Sequence, residues 1–156
     1  MADVPPHNSA LARTSTRIYM SCILRISGEA LDIEALLLHR SLVPNRTWRK
    51  GEERAIKGKA HSDSGVSFVA SDADFDEFAR QLTDATEFLE THSFEIAAMA
   101  ATPGVKYATL DFGVSLYEDS VAQFCSFPPK FVRLAASAGL GLEVSMYACS
   151  DDTSEG

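Results

Sequence analysis

The chain carries little with which to do covalent chemistry. Among its 156 residues there are three cysteines, Cys22, Cys125 and Cys149. An odd number without a C-x-x-C spacing argues against a disulfide framework or a zinc knuckle. The four histidines, His7, His39, His61 and His92, show neither H-x-x-x-H nor H-E-x-x-H, so the sequence supports no metal and no cofactor. There is no nucleophile elbow, P-loop or dinucleotide fingerprint. Gly28 follows a strand pattern and precedes a helix pattern, but Glu29 and Asp32 beside it would repel a phosphate. The neighbouring carboxylates Asp74 with Asp76, and Asp151 with Asp152, fall at an expected helix start and in a tail, which suggests no acid-base pair. No apolar run reaches the roughly 18 residues that span a bilayer, and the opening MADVPPHNSALARTSTR lacks the apolar core of a secretory signal. These absences predict a cytoplasmic protein without a membrane segment, and they rank binding above catalysis.

What is present describes an ordinary globular domain. Hydrophobic residues make up 46% and charged residues 23%, close to the globular average, and one domain of this length buries an adequate core without staples. The net charge of −8 is unevenly spread. Residues 39 to 61 hold seven of the fourteen basic side chains, Arg40, Arg46, Arg49, Lys50, Arg54, Lys57 and Lys59, against Glu52 and Glu53 alone, a local balance of +5. From residue 62 onward the balance is −12. Such a surface disfavours extended nucleic acid and anionic membrane over most of its area and offers anions one attractive spot.

Periodicity gives the elements. Residues 1 to 16 read as an N-terminal arm, 17 to 149 as one α+β domain and 150 to 156 as an acidic tail. From Arg17 to Ser27 an alternation puts Ile18, Met20, Cys22, Leu24 and Ile26 on one face and Tyr19, Ser21, Arg25 and Ser27 on the other. Asp32 is placed to cap a helix carrying Ile33, Leu36 and Leu37. Short strands are expected at Arg46 to Lys50 and Val66 to Ala70. A helix opened by Ser71 and Asp72 follows, with Phe75, Phe78, Leu82, Ala85 and Leu89 as its apolar stripe and a break at His92 and Ser93. A strand from Val105 to Tyr117, a helix begun by Pro128 and Pro129 and capped by Gly139, and a strand from Leu140 to Ala148 complete the chain. The order predicts a two-layer sandwich: a mainly antiparallel sheet of four to five strands, helices on one face, and a ferredoxin-like β-α-β-β-α-β core extended by an α-β unit. Tyr19, Arg25, Thr109, Glu143 and Tyr147 would line the open sheet face.

The candidate site is the basic stretch around the single tryptophan: Arg46, Trp48, Arg49, Lys50 and Arg54. Strand alternation would set Arg46, Trp48 and Lys50 on one side and Thr47 and Arg49 on the other. An indole beside guanidinium groups suits stacking on a base or clasping a phosphate or carboxylate. The plainer reading, which composition rules favour, has Trp48 plugging the rim of the core while its neighbours stay solvated or pair with the acidic helix start at Asp72. Three functions compete. The first is a protein-binding module, immunity- or antitoxin-like, whose acidic surface speeds encounter with a basic partner. The second is an anion, nucleotide or nucleic-acid binder using the Trp48 loop. The third is an enzyme whose site spans an oligomer interface. A second copy could cover the open sheet face as a homodimer.

The segment ISGEALDIEALLLHRSLVPNRTWRKGE, Ile26 to Glu52, resembles a family of small bacterial single-domain proteins of unknown function. Their pattern is a strand ending in I-S-G-D/E, then L-D-x-E-x-I, L-G-L-x-P and T-R-x-W-x-K-G. The counterparts here are Ile26, Ser27, Gly28, Glu29, Leu31, Asp32, Glu34, Leu42, Pro44, Arg46, Thr47, Trp48, Lys50 and Gly51. The chain reads HRSLVP where the family has L-G-L-x-P, and it lacks the tryptophan that often starts the strand before the long helix. The resemblance covers most of residues 17 to 149. It implies a bacterial single-domain protein and assigns no activity or catalytic residue.

Overall fold

A computed structural model describes residues 20–150. The expected arm and most of the expected tail, with Tyr19 and His7, lie outside the described residues. Eight elements follow one another: β1 (Cys22–Gly28), α1 (Ile33–Leu37), β2 (Arg46–Trp48), β3 (Ser64–Ser71), α2 (Phe78–Ala100), β4 (Tyr107–Tyr117), α3 (Pro129–Ser137) and β5 (Gly141–Cys149). The sheet runs β2-β3-β1-β4-β5. Its first four strands are antiparallel to their neighbours, and β5 joins β4 in parallel. This is the expected α+β sandwich, with the α3–β5 unit added at one edge.

Register explains the layering. Leu24 lies opposite Phe68 on one side and Leu110 on the other, and Ile26 opposite Val66 and Ala108. Directly opposed residues share a face, so these side chains form one apolar surface beneath the helices. Leu36 of α1, Ala85, Leu89, Ile96 and Met99 of α2, and Phe131 and Ala135 of α3 close over it in a single core. Phe112 is its aromatic hub, meeting Phe78, Phe127 and Phe131 edge-on at 5.3 to 5.7 Å, geometry that the ring quadrupole favours. The caps also follow the sequence. Asp32 accepts the Ala35 amide at 3.1 Å, Pro129 begins α3, and Gly139 takes φ 73° just after it. The helical backbone breaks at His92, φ −116°, where the break is expected.

Several expectations need correction. β1 begins at Cys22, and Met20 is exposed rather than inward-facing. β2 stops at Trp48, short of Lys50. Ser71 ends β3 and residues 72–77 are not helical, so α2 begins only at Phe78. The crowded carboxylates instead organise a turn: Asp74 accepts the Asp76 amide at 3.0 Å, and Asp76 accepts the Tyr117 hydroxyl at 2.7 Å, which raises the pKa of that phenol. Phe75 therefore leaves the helical stripe. Its carbonyl accepts the Ser115 amide, and its ring covers Gly113 and meets Tyr147 on the open face. Finally β5 is thinly covered: Val144 is half-buried, while Leu142 and Met146 on its helix side are exposed.

At one end of the sheet two turns cross without a side chain between them. A Cβ on Gly28 would run into the Gly104 carbonyl, and one on Gly104, whose φ is +93°, would lie 2.6 Å from the Ala30 carbonyl. The I-S-G motif therefore ends in glycine because the α2–β4 turn needs that space. Among the described residues no helix is long and apolar enough to cross a membrane.

Candidate functional site

The open face of the sheet is polar and half-covered. Thr109, Asp111, Gly113 and Ser115 of β4 point that way, beside Arg25 of β1 and Ser145 of β5. Asp111 is only 5% exposed there, so its charge needs partners. Arg25 Nη1 donates to it at 2.7 Å and Ser145 Oγ donates at 2.7 Å.

Toward β2 this face deepens into an open cleft of about 330 Å³, lined among others by Met20, Ile23, Arg25, Asn45, Arg46, Trp48, Arg54, His61 and Asp63. Pairing of Trp48 with Gly65 and Arg46 with Ser67 turns both side chains onto this face. The indole lies flat on the strand beneath because residue 65 is glycine: a Cβ there would sit 2.7 Å from Trp48 Cε2. Trp48 Nε1 donates to Asp63 Oδ1 at 2.9 Å. The Arg46 guanidinium lies over the indole, 5.8 Å from its centroid, and the His61 ring stacks at 5.9 Å. Each contact is of the ordinary cation-π or stacking kind.

The basic loop is built rather than loose. Gly51 N donates to the His61 carbonyl at 2.8 Å, His61 N to the Glu52 carbonyl at 2.8 Å and Arg54 N to the Lys59 carbonyl at 2.7 Å. This small hairpin, turned through Gly58 at φ +80°, brings Arg54 and His61 to the cleft. Among the described residues, neither Arg46 nor Arg54 forms an ion pair with a carboxylate.

The five residues singled out in the sequence therefore separate. Arg46, Trp48 and Arg54 meet in the cleft. Arg49 turns away, donating through both terminal nitrogens to Glu34 of α1, which lowers the pKa of that carboxyl. Lys50 contributes its backbone amide to Ser64 Oγ at 2.9 Å and does not line the cleft. Arg49 is paired with Glu34 rather than with the acidic stretch at Asp72, which faces Arg80. Trp48 packs on the sheet's open face, not at the rim of the core. Arg25, His61, Asp63 and Ser67 complete the cleft. Strand parity could have found Arg25 and Ser67, which oppose each other on β1 and β3; His61 and Asp63 depend on how the chain between β2 and β3 folds back, which has no local signature.

Among the described residues no nucleophile stands out elsewhere. Cys22 is fully buried, and burial with Asp111 and Asp84 nearby pushes its thiol far up, which makes it inert. Partial burial also raises the Cys125 thiol, which is only half-buried. Among the described residues no group of three or more His, Cys, Asp or Glu side chains is placed to hold a metal. The cleft offers three guanidinium groups, of which Arg25 is already paired with Asp111, together with an imidazole and an amide-bearing rim, a donor set for an oxyanion.

No curated protein and no solved structure matches this chain. The family model of a domain of unknown function, DUF4279, matches residues 16–149. That span includes every element of the sheet, every helix and the whole cleft, and the chain therefore belongs to the DUF4279 family.

Proposed function

We propose that this protein is a non-enzymatic binding domain, and that the Trp48 cleft grips a compact oxyanion, a phosphate or carboxylate, on its ligand. One observation carries the reading. Arg46 and Arg54 converge on an open cleft without an acidic partner among the described residues, in a chain whose net charge is −8. Asp63 offsets part of that charge but is engaged by the indole N–H. Base stacking is less well supported than anion binding, because the indole already lies on Gly65 with Arg46 over its ring. Fluorescence of Trp48 gives the test. Inorganic phosphate, citrate and adenosine monophosphate are titrated at low salt, and saturable changes are expected, weakened about ten-fold by Arg46→Ala or Arg54→Ala, the equivalent of one lost charged hydrogen bond. Titrations that leave emission unchanged for all three anions would remove the proposal.

A second reading, the protein-binding module of immunity or antitoxin type, is favoured by Val121 and Phe124. Both are almost fully exposed in the β4–α3 connection, an unusual place for large apolar groups unless a partner covers them. A basic partner would suit the acidic remainder of the surface. Recovery of no stoichiometric partner with wild-type bait, under conditions where Phe124→Ser bait behaves identically, counts against it. The same proposal takes the protein to be bacterial and cytoplasmic, with a ferredoxin-like core flanked by an N-terminal arm and an acidic tail.

A further inference from the structure

The two edges of the sheet are finished differently. At one edge β2 is three residues long and gives way to the hairpin loop, and a short edge offers little to a second strand. At the other, β5 runs nine residues in unbroken register with β4. In the β5 sequence GLEVSMYAC there is no proline and no lysine or arginine, and Glu143 is its only charge. Among the described residues none of the usual devices that blunt an edge is present at β5, so alternate residues direct N–H and C=O groups outward without a strand partner there. Its side chains are also uncovered: Met146 is 54% and Tyr147 50% exposed, with Leu142 exposed beside them.

We infer that β5 pairs antiparallel with β5 of a second copy across a two-fold axis centred on Ser145, joining the two sheets into one. This register is self-complementary. Val144 meets Met146 of the other copy, and Leu142 meets Ala148, on the side where Leu142, Val144 and Met146 align with Leu110, Phe112 and Val114 of β4. Glu143 meets Tyr147 on the open side. Charge decides the direction. Parallel pairing in register would set the two Glu143 carboxylates on adjacent strands about 5 Å apart. The antiparallel register separates them by four residues, about 13 Å along the strand, beyond the screening length of about 8 Å at physiological salt. The axis also closes the assembly at two copies. The surface used is independent of the Trp48 cleft, which lies at the opposite edge.

Cross-linking reads the register directly. In a background with Cys125→Ser and Cys149→Ser, Ser145→Cys is expected to form a disulfide-linked dimer under mild oxidation, since opposed residues on antiparallel strands lie about 4.5–5.5 Å apart at Cα, within disulfide range. Glu143→Cys is expected not to, being far from its own copy. Light scattering on wild-type protein at about 100 µM, a concentration that detects even weak micromolar self-association, should give twice the monomer mass. Met146→Lys, which alters an exposed side chain only, should return the monomer with an unchanged circular dichroism spectrum. A monomer at all concentrations, or cross-linking at 143 in preference to 145, overturns the inference.

Discussion

Gly65→Ala is the sharpest probe of the cleft because the added methyl group has nowhere to go. Its Cβ would lie 2.7 Å from Trp48 Cε2 and 2.8 Å from the Ile26 carbonyl oxygen. The carbonyl belongs to the β1–β3 ladder and cannot yield, so the indole must lift. Overpacking of this kind costs about 1–3 kcal/mol. Lifting the ring also loosens the hydrogen bond from Nε1 to the Asp63 carboxylate, about 1 kcal/mol at a half-exposed site. Against this, alanine gains about 0.4–1 kcal/mol by restricting the unfolded chain. The net loss is about 2 kcal/mol, a fall in Tm of about 6 °C for a domain of this size. Because Trp48 is the only tryptophan, its emission should shift to the red at the same time. With Trp48→Ala already in place, only the clash with the carbonyl remains, and Gly65→Ala should cost at most about half as much, a coupling that a double-mutant cycle measures. A Gly65→Ala protein with unchanged Tm and unchanged emission would refute the packing described for the cleft floor.

Other substitutions test the elements around it. Asp111→Ala removes a buried carboxylate and strands the half-exposed Arg25 and Ser145; a loss of about 2 kcal/mol in urea unfolding is expected, less than for a fully buried pair. Glu95 accepts from the Ser41 amide and hydroxyl and from the Leu42 amide, contacts that lower its pKa from the ordinary 4.5. Its contribution is complete above that ordinary value and is lost as pH falls through the lowered one, so the Tm advantage of wild type over Glu95→Gln should be present at pH 7 and shrink on acidification. Cys22 should resist alkylation in the native state while Cys125 and Cys149 react, since only Cys22 is buried; labelling of Cys22 at comparable rate would contradict the described core.

The sheet and helices were legible wherever a residue pattern maps onto one element at a time. The alternation of Cys22, Leu24 and Ile26, the Asp32 cap, the Pro129 start and the Gly139 terminus all depend on near neighbours. What was not legible depends on distant ones. Asp72 to Glu77 look like a dipole-stabilised first turn, yet Phe75 is drawn to the β4 backbone at Ser115, forty residues on, and to Gly113, and the helix starts later. The site divides the same way. Parity along β2 correctly joins Arg46 to Trp48, but it cannot say that the strand ends there, and so it also places Lys50 with them. Arg49 has its partner in Glu34 across the connection from α1, and Arg54 and His61 arrive through a hairpin closed by backbone hydrogen bonds that leave no mark on side-chain pattern.

The crossing of Gly28 and Gly104 bears on how the cleft behaves over time. Backbone touches backbone there, and the Lys106 amide is bonded to the Ser27 carbonyl at 2.9 Å immediately beside it, so the end of β1 beneath the indole is pinned and has no room to slide. The hairpin between residues 51 and 61 is held differently, by its own backbone hydrogen bonds, with side chains almost all in solvent. On the proposed anion-binding reading, the sheet sets where Arg46 and Trp48 stand, while the solvent-facing hairpin that carries Arg54 and His61 sets the width of the cleft.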